Sequence, residues 1–293
     1  MRIAQISDLH ILDLTDVPMV RFANRRIFGG ANLLFRRARE YRSEILEALV
    51  EDLLQEEVDH VVVSGDLSNL ALESEFTRVF DLLKLLGDWS RVSVVPGNHD
   101  YYTYRAADTR RFEKTFYPFM FRGMFSDLDI DIYPYTKRLD DVLLVGVNSA
   151  TRTVPPFSYG TVGKRQLERL DALLGRMESQ DAFKIVVLHH ALHTRDKWAE
   201  TTSRLLNRDA FMELMEKHSV NLILHGHDHH GRVWKKRWDS GHITNIVCCG
   251  SSTRLVDDPS KIARYRIVHI DEGRLRKIET KIFDPGIRKF MPS

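Results

Sequence analysis

The stretch LILHGHDHHG, residues 222–231, decides how this chain is read. An apolar run, Leu222-Ile223-Leu224, is followed within six positions by His225, His227, His229 and His230. Imidazole is polar, and burying it without a partner is costly. Four imidazoles at the end of an apolar run therefore either sit in water or hold something. The same pattern recurs along the chain. RIAQI (2–6) leads into Ser7-Asp8-Leu9-His10, and HVVVS (60–64) leads into Gly65-Asp66. RVSVV (91–95) leads into Pro96-Gly97-Asn98-His99-Asp100, and KIVVL (184–188) leads into His189-His190. Short, nearly continuous apolar runs suit strands buried on both faces. In α/β sheets, ligand sites form at the carboxyl ends of strands. Five such ends would gather Asp8, His10, Asp66, Asn98, His99, Asp100, His189, His227 and His229.

Each cluster alone has an ordinary reading, since Gly-Asp is common turn chemistry. Five of them at one structural position make a shared site the stronger reading. Carboxylate, amide and imidazole together suit divalent Mn, Fe, Co or Zn. A carboxylate can bridge two such ions about 3.5–4 Å apart, a pair that clamps a phosphate. No cysteine lies in the clusters, which excludes a structural zinc finger.

Further apolar runs are VLLVGV (142–147), NLILH (221–225), ITNIVCC (243–249) and RYRIVHI (264–270). Between the runs lie helical stripes. One is Ile45, Leu46, Leu49, Val50, Leu53 and Leu54, and another is Phe76, Val79, Phe80, Leu83 and Leu86. A third is Leu167, Leu170, Leu173, Leu174 and Met177, and a fourth is Leu205, Phe211, Leu214 and Met215. Strands alternating with helices predict an α/β core. The strands from about 243 onward follow one another without helices and read as antiparallel. The 293 residues read as one domain, 1–293, with long insertions at about 11–42 and 101–140.

The net charge of +2, from 43 basic and 41 acidic residues, gives no whole-protein case for nucleic acid. Cys248 and Cys249 are adjacent, so a disulfide framework is excluded and a reducing compartment is expected. They read as small apolar packing residues. The N-terminal MRIAQISDLH meets a charge at Asp8, too early for a signal-peptide core. No apolar run approaches the ~18 residues of a membrane span. The expectation is a cytoplasmic protein, with peripheral contact at the inner membrane left open.

The motifs Asp8-x-His10, Gly65-Asp66, Gly97-Asn98-His99-Asp100, His189 and Gly226-His227-x-His229 resemble, in order and spacing, those of the calcineurin-like metallophosphoesterases. The resemblance implies a four-layer αββα sandwich of two mixed sheets flanked by helices. It implies two divalent metal ions, Mn, Fe or Zn. Asp8, His10 and His229 would hold the first ion, Asn98, His189 and His227 the second, and Asp66 would bridge them. A water shared by the metals would become the hydroxide that attacks phosphorus. His99 would contact the substrate phosphate and protonate the leaving oxygen, and Asp100 would orient His99. His225 has no ligand role in the family and reads as a hydrogen-bonded strand-end residue. His230 reads as a lip residue, His190 as outside the ligand set, and His193 as a solvated surface histidine.

The insertions bear on the substrate. Residues 21–42 carry seven Arg and one Glu interleaved with Phe22, Phe28, Leu33, Leu34, Phe35 and Tyr41. Such a segment suits a membrane surface, an anionic amphiphile or single-stranded nucleic acid, or it is a cap with a solvated Arg face. Residues 101–125 hold Tyr101, Tyr102, Tyr104, Phe112, Phe116, Tyr117, Phe119, Phe121 and Phe125. They read either as a small satellite core or as an apolar groove beside the metals. In the second case Arg105, Arg110, Arg111 and Arg122, with Tyr101 and Tyr102, would bind substrate, the arginines meeting a pyrophosphate. Within the family the insertions are similar to those of bacterial enzymes, chlamydia-type ones especially, that cleave the lipid A precursor UDP-2,3-diacylglucosamine to UMP and lipid monophosphate. A cyclic-nucleotide phosphodiesterase shares every metal motif and is the alternative. A nuclease ranks third, and no nucleic acid is expected as a partner. A scaffold of this fold that has lost activity is a reading of another class. Protein partners are not legible.

Overall fold

The pleat of the strands accounts for the layers. In β5 (Val142–Gly146), Val142 and Leu144 face one apolar core while Leu143 and Val145 face another. β6 (Phe183–Val187) and β7 (Leu222–His225) do the same: Ile185, Val187, Leu222 and Leu224 enter the first core, Val186 and Ile223 the second. A sheet buried on both faces needs apolar residues on both, hence the continuous runs in the sequence. The computed structural model describes residues 1–14, 40–123, 125–126, 131–154, 156–176, 181–193 and 197–293. Residues 15–39 of the Arg-rich insertion, and Met177 of the third helical stripe, lie outside the described residues.

Two mixed six-stranded sheets face each other. The first is ordered β12-β11-β10-β1-β2-β3, with β1 (Arg2–Ile6), β2 (His60–Val63) and β3 (Val92–Val94) parallel. β10 (Arg264–Asp271), β11 (Arg274–Asp284) and β12 (Lys289–Pro292) extend it antiparallel. The second sheet is ordered β4-β5-β6-β7-β9-β8, with β4 (Tyr135–Leu139) and β8 (Arg232–Arg237) as its edges. β9 (Ile243–Cys248) departs from the antiparallel expectation for strands after 243, because it runs parallel to β7. The chain reaches it through β8, which reverses direction and pairs antiparallel at the edge.

The helices cover the outer faces. α1 (Ser43–Gln55) and α2 (Glu73–Lys84) bury Leu46, Leu49, Phe76 and Val79 against the first sheet. α3 (Tyr104–Asp108) and α4 (Arg111–Met120) come from the second insertion. Phe112, Phe116 and Phe119 join the main core, with the Phe116 ring 5.5 Å from that of Phe76. The spacing of these three rings is helical, and they pack as core. α5 (Lys164–Leu174) and α7 (Arg208–Lys217) place Leu170, Leu174, Phe211 and Met215 on the second sheet. The short α6 (Lys197–Thr202) lies between them in the chain. No described helix is long and apolar enough to cross a membrane.

Glu75 is a buried carboxylate at the start of α2, where Oε2 accepts from the backbone N–H of Leu70 (2.9 Å) and Leu72 (3.0 Å). Oε1 is buried without a hydrogen-bond partner. Burial, helped by the charge of Asp100, pushes its pKa up to about 8 from a usual value of 4.5. The folded state thus prefers the proton that the unfolded chain releases at lower pH. The stabilisation from this group is complete below the unfolded pKa and is lost as pH rises through the folded one. In metal-free protein the urea midpoint of the wild type should fall relative to that of Glu75→Gln between pH 5 and pH 8. An equal slope in the two proteins would refute the assignment.

Candidate metal centre

All five polar clusters lie at the carboxyl ends of strands, β1, β2 and β3 from the first sheet and β6 and β7 from the second. They meet where the two sheets face each other, so the centre draws on both. Two groups of side chains result, each with its ligand atoms within 4.8 Å of one another: Asp8, His10, Asp66 and His229, and Asp66, His189 and His227. Asp66 belongs to both. Its Oδ2 lies 3.6 Å from His10 Nε2 and 3.3 Å from His189 Nε2. In the first group His10 Nε2 and His229 Nε2 approach to 3.0 Å, with His229 Nε2 3.3 Å from Asp8 Oδ1. In the second, His227 Nδ1 lies 3.2 Å from His189 Nε2.

Local backbone geometry supports the convergence. Asp8, His10, Asp66, His227 and His229 all have positive φ, between 45° and 73°. For non-glycine residues that conformation costs on the order of 1–3 kcal/mol each and clusters at functional sites. Two glycines allow the loops to close. A Cβ on Gly97 would stand 2.1 Å from Asp66 Oδ1, and one on Gly226 would stand 2.0 Å from Ser7 Oγ and 2.5 Å from Asp8 Oδ2. Neither position has room for a side chain.

The surrounding hydrogen bonds fix the donors. His189 Nδ1 bonds the Ser64 carbonyl at 2.9 Å, which directs Nε2 to Asp66. The His227 backbone N–H donates to the Asp8 carboxylate, and the His99 N–H donates to Asp66 Oδ1 at 2.8 Å. Burial opposes ionisation of Asp66, but the charges of His189, His99 and His10 outweigh it and hold its carboxyl well below the usual range. Burial likewise opposes the cation on His189, yet the carboxylates of Asp66 and Asp8 raise its pKa to about 9. Burial, then the charge of His189, pushes His227 down to about 3, so it stays a neutral donor.

The residues fit a pair of divalent cations. Carboxylate and imidazole atoms converge in two groups around one shared carboxylate, as a dinuclear centre requires. Asn98 adds an independent sign: its Oδ1 is buried with no hydrogen-bond partner. An amide oxygen in that state suits a cation better than it suits an apolar core.

Asp100 differs from the expectation. Its carboxylate accepts from the N–H groups of Gly97 (2.9 Å), Leu67 (3.2 Å) and Ser68 (2.9 Å), and from Ser68 Oγ (2.9 Å). It ties two strand-end loops together. The group that orients His99 is instead the Asn69 carbonyl, 2.8 Å from Nδ1. Tyr102 stacks on the His99 ring at 5.6 Å and 11°. Tyr101 is turned inward to Glu113 and Asn148. Of the four arginines, Arg105 is exposed, Arg110 lies 5.1 Å over the Phe125 ring, and Arg111 bonds the Ala71 carbonyl and Glu73. Arg122 lies 4.7 Å over Trp89, which precedes β3 and so stands at the opposite end of that strand from the centre.

His225 is buried and its Nδ1 bonds the Gly226 carbonyl. His190 is buried against Ser149 Oγ, and His230 is half-buried. His193 is not the solvated histidine expected. It pairs with Asp228 at 3.3 Å and packs 4.1 Å from the Trp234 ring, because β8 brings that ring to it. Tyr41 was not singled out as a site residue in the sequence. Its hydroxyl lies 2.7 Å from His229 Nδ1. No local pattern marks it, since the contact spans 188 positions.

A sequence profile of the calcineurin-like phosphoesterases matches residues 1–231. Among solved structures, a dimetal phosphatase from Danio rerio is similar with a TM-score of 0.62 and 18% identity, over 95% of this chain and 94% of that one. A purple acid phosphatase from yellow lupin seeds is similar with a TM-score of 0.61 and 12% identity, over 99% of this chain and 52% of that one. GAP50, the anchor in the inner membrane complex of Plasmodium, has a TM-score of 0.50 and 11% identity, over 97% and 84%. At these identities the likeness establishes the fold. No curated protein sequence matches the chain significantly.

Because Asp66 serves both groups, Asp66→Ala should lose both ions on dialysis, while Asn98→Ala should retain one. Metal analysis that finds two tightly held ions in Asp66→Ala would contradict the shared role.

Proposed function

The chain belongs to the calcineurin-like phosphoesterase family, and on that footing we propose that it is a dinuclear metal-dependent hydrolase of phosphodiester or pyrophosphate bonds. The observation that carries this reading is the pair of ligand groups sharing Asp66, with His99 set against them: the His99 and His10 rings are 4.7 Å apart. Asp8, His10 and His229 would hold one cation, Asn98, His189 and His227 the other, and Asp66 would serve both. Bound there, two divalent cations supply Lewis-acid stabilisation of phosphoryl oxygens and a water acidic enough to act as nucleophile near neutral pH. The Asn69 carbonyl accepts the His99 Nδ1–H, so Nε2 is the atom that meets the substrate, and the imidazolium form gives the Nε2 proton to the leaving oxygen. Asp100 keeps the loop that carries Asn98 and His99 in place.

For the substrate, we read an amphiphilic pyrophosphate of the UDP-2,3-diacylglucosamine type. Support comes from exposed apolar residues in the segments that follow these strands. Tyr104 (58% exposed) follows β3, Val154 and Phe157 follow β5, and Trp198 (66% exposed) follows β6. Each comes, in the chain, after a strand whose carboxyl end lies on the side of the centre, and Arg152 lies 5.2 Å over the Tyr104 ring. Exposed aromatics with basic neighbours suit a lipid surface, so peripheral membrane contact belongs to the same reading. The alternative is a 3',5'-cyclic-nucleotide phosphodiesterase. It is favoured by the burial of Phe112, Phe116 and Phe119 in the main core, where they offer no groove for an acyl chain.

Manganese-loaded protein should be incubated with UDP-2,3-diacylglucosamine in detergent and, separately, with cyclic AMP, each followed by phosphorus NMR. UMP and lipid monophosphate would support the first substrate, and AMP alone would support the second. Turnover of neither, in protein that takes up no metal, would point to a binding role instead. On whichever substrate turns over, His99→Ala should keep both metals and lose roughly 10²–10⁴ in rate. Full activity in that variant would remove His99 from the mechanism.

A further inference from the structure

We propose that Tyr41 is a positioning residue for the first cation: its phenol oxygen accepts the Nδ1–H of His229 and so aims His229 Nε2 at the ion. The two atoms are 2.7 Å apart. A histidine ligand presents one nitrogen to the metal only when the other carries the proton, and the partner of that proton sets both tautomer and ring angle. On the second cation this task falls to the backbone, through the Ser64 carbonyl on His189 Nδ1. On the first it falls to a side chain. The Tyr41 ring is 6% exposed and lies edge-on to the His10 ring at 4.6 Å and to the His229 ring at 5.8 Å. It therefore packs against two ligands of the same ion while bonding one of them.

Tyr41 is held in place by the segment that also holds Asp8. Tyr41 forms an antiparallel bridge with Arg254, the Arg42 N–H donates to the Thr253 carbonyl at 3.1 Å, and the Leu255 N–H donates to the Glu40 carbonyl at 2.6 Å. Arg254 closes the arrangement by donating from Nε and Nη2 to Glu40 Oε2 at 3.1 and 2.8 Å. In the same segment Ser251 Oγ donates to the Asp8 carbonyl and Thr253 Oγ1 to the Leu9 carbonyl. One strip of chain thus fixes the backbone of the first ligand and the phenol behind the third. Glu40 and Tyr41 end the first insertion, so the insertion is joined to the metal centre through its last residues.

The proposal rests on the metal reading above, and its test is metal affinity. Metal-free wild type and Tyr41→Phe should be titrated calorimetrically with Mn²⁺, and their Co²⁺ forms compared by visible absorption. Phenylalanine keeps the ring packing and removes only the hydroxyl. The expected result is about a 10- to 100-fold loss of affinity at one of the two sites. The Co²⁺ spectrum should change, with little change in the melting temperature of the metal-free protein. Unchanged affinities and spectrum would overturn the proposal. Equal weakening of both sites together with a lower metal-free melting temperature would also overturn it, as the mark of a packing role. Wild type that binds two ions but hydrolyses no phosphate ester would sink the proposed function and leave the role of Tyr41 standing. Wild type that takes up no ion would end both.

Discussion

The Asp66 carboxylate is the constraint on which the rest of the site depends. One oxygen faces His10 and His189, which come from different sheets, and the other takes the His99 N–H. To put one carboxylate within reach of all three, the ends of β1, β2, β3 and β6 must converge on a single point. The Gly97 loop must also pass so close to Asp66 that no side chain fits there. The left-handed backbone at Asp66 and at four other ligands belongs to the same requirement. A carboxylate so deeply buried would ordinarily take up a proton. It stays ionised because cationic partners surround it, and divalent ions would serve that end more strongly than imidazolium.

Much of this was legible in the sequence, for a physical reason. A strand buried on both faces announces itself as an apolar run, so the polar cluster that follows marks where its carboxyl end reaches solvent. Asp8, Asp66, His189 and His227 could be placed in this way. Strands without a continuous apolar run could not. β8, RVWKKR, is exposed along most of its length and has no buried face to impose a period. β11 is similarly mixed in burial. The parallel direction of β9 was hidden because β8, which makes it possible, was hidden. In the second insertion Phe112, Phe116 and Phe119 stand at helical spacing and fit the core reading, but a dense aromatic segment also fits a binding groove, so its helices are not legible from the sequence.

Asp100 and Tyr41 show a different limit. Position within a motif does not fix what a side chain bonds. Asp100 follows His99 directly, yet its carboxylate is occupied by four donors from the strand-end loops, and the residue that orients His99 is Asn69, thirty positions away. Tyr41 sits at the end of an insertion whose arginines drew attention to charge. Its significance lies in one hydroxyl facing a histidine from the other end of the chain. Contacts of this kind depend on tertiary register, and no local pattern encodes that.

The division of the ligands between the sheets has a mechanical meaning. Asp8, His10, Asp66 and Asn98 belong to one half of the sandwich, and His189, His227 and His229 to the other. Gln5 reaches across the same seam to the His225 carbonyl at 3.0 Å. Ions held between the halves would act as rivets at one end of the seam, while the rest is closed by apolar packing and by a few hydrogen bonds such as Tyr135 Oη to the Val94 carbonyl (2.8 Å) and Lys137 Nζ to the Trp89 carbonyl (2.6 Å). Slow amide exchange along the ends of β1 and β7 would then depend on whether the rivets are in place, and the two halves would open first from the end where the chemistry occurs.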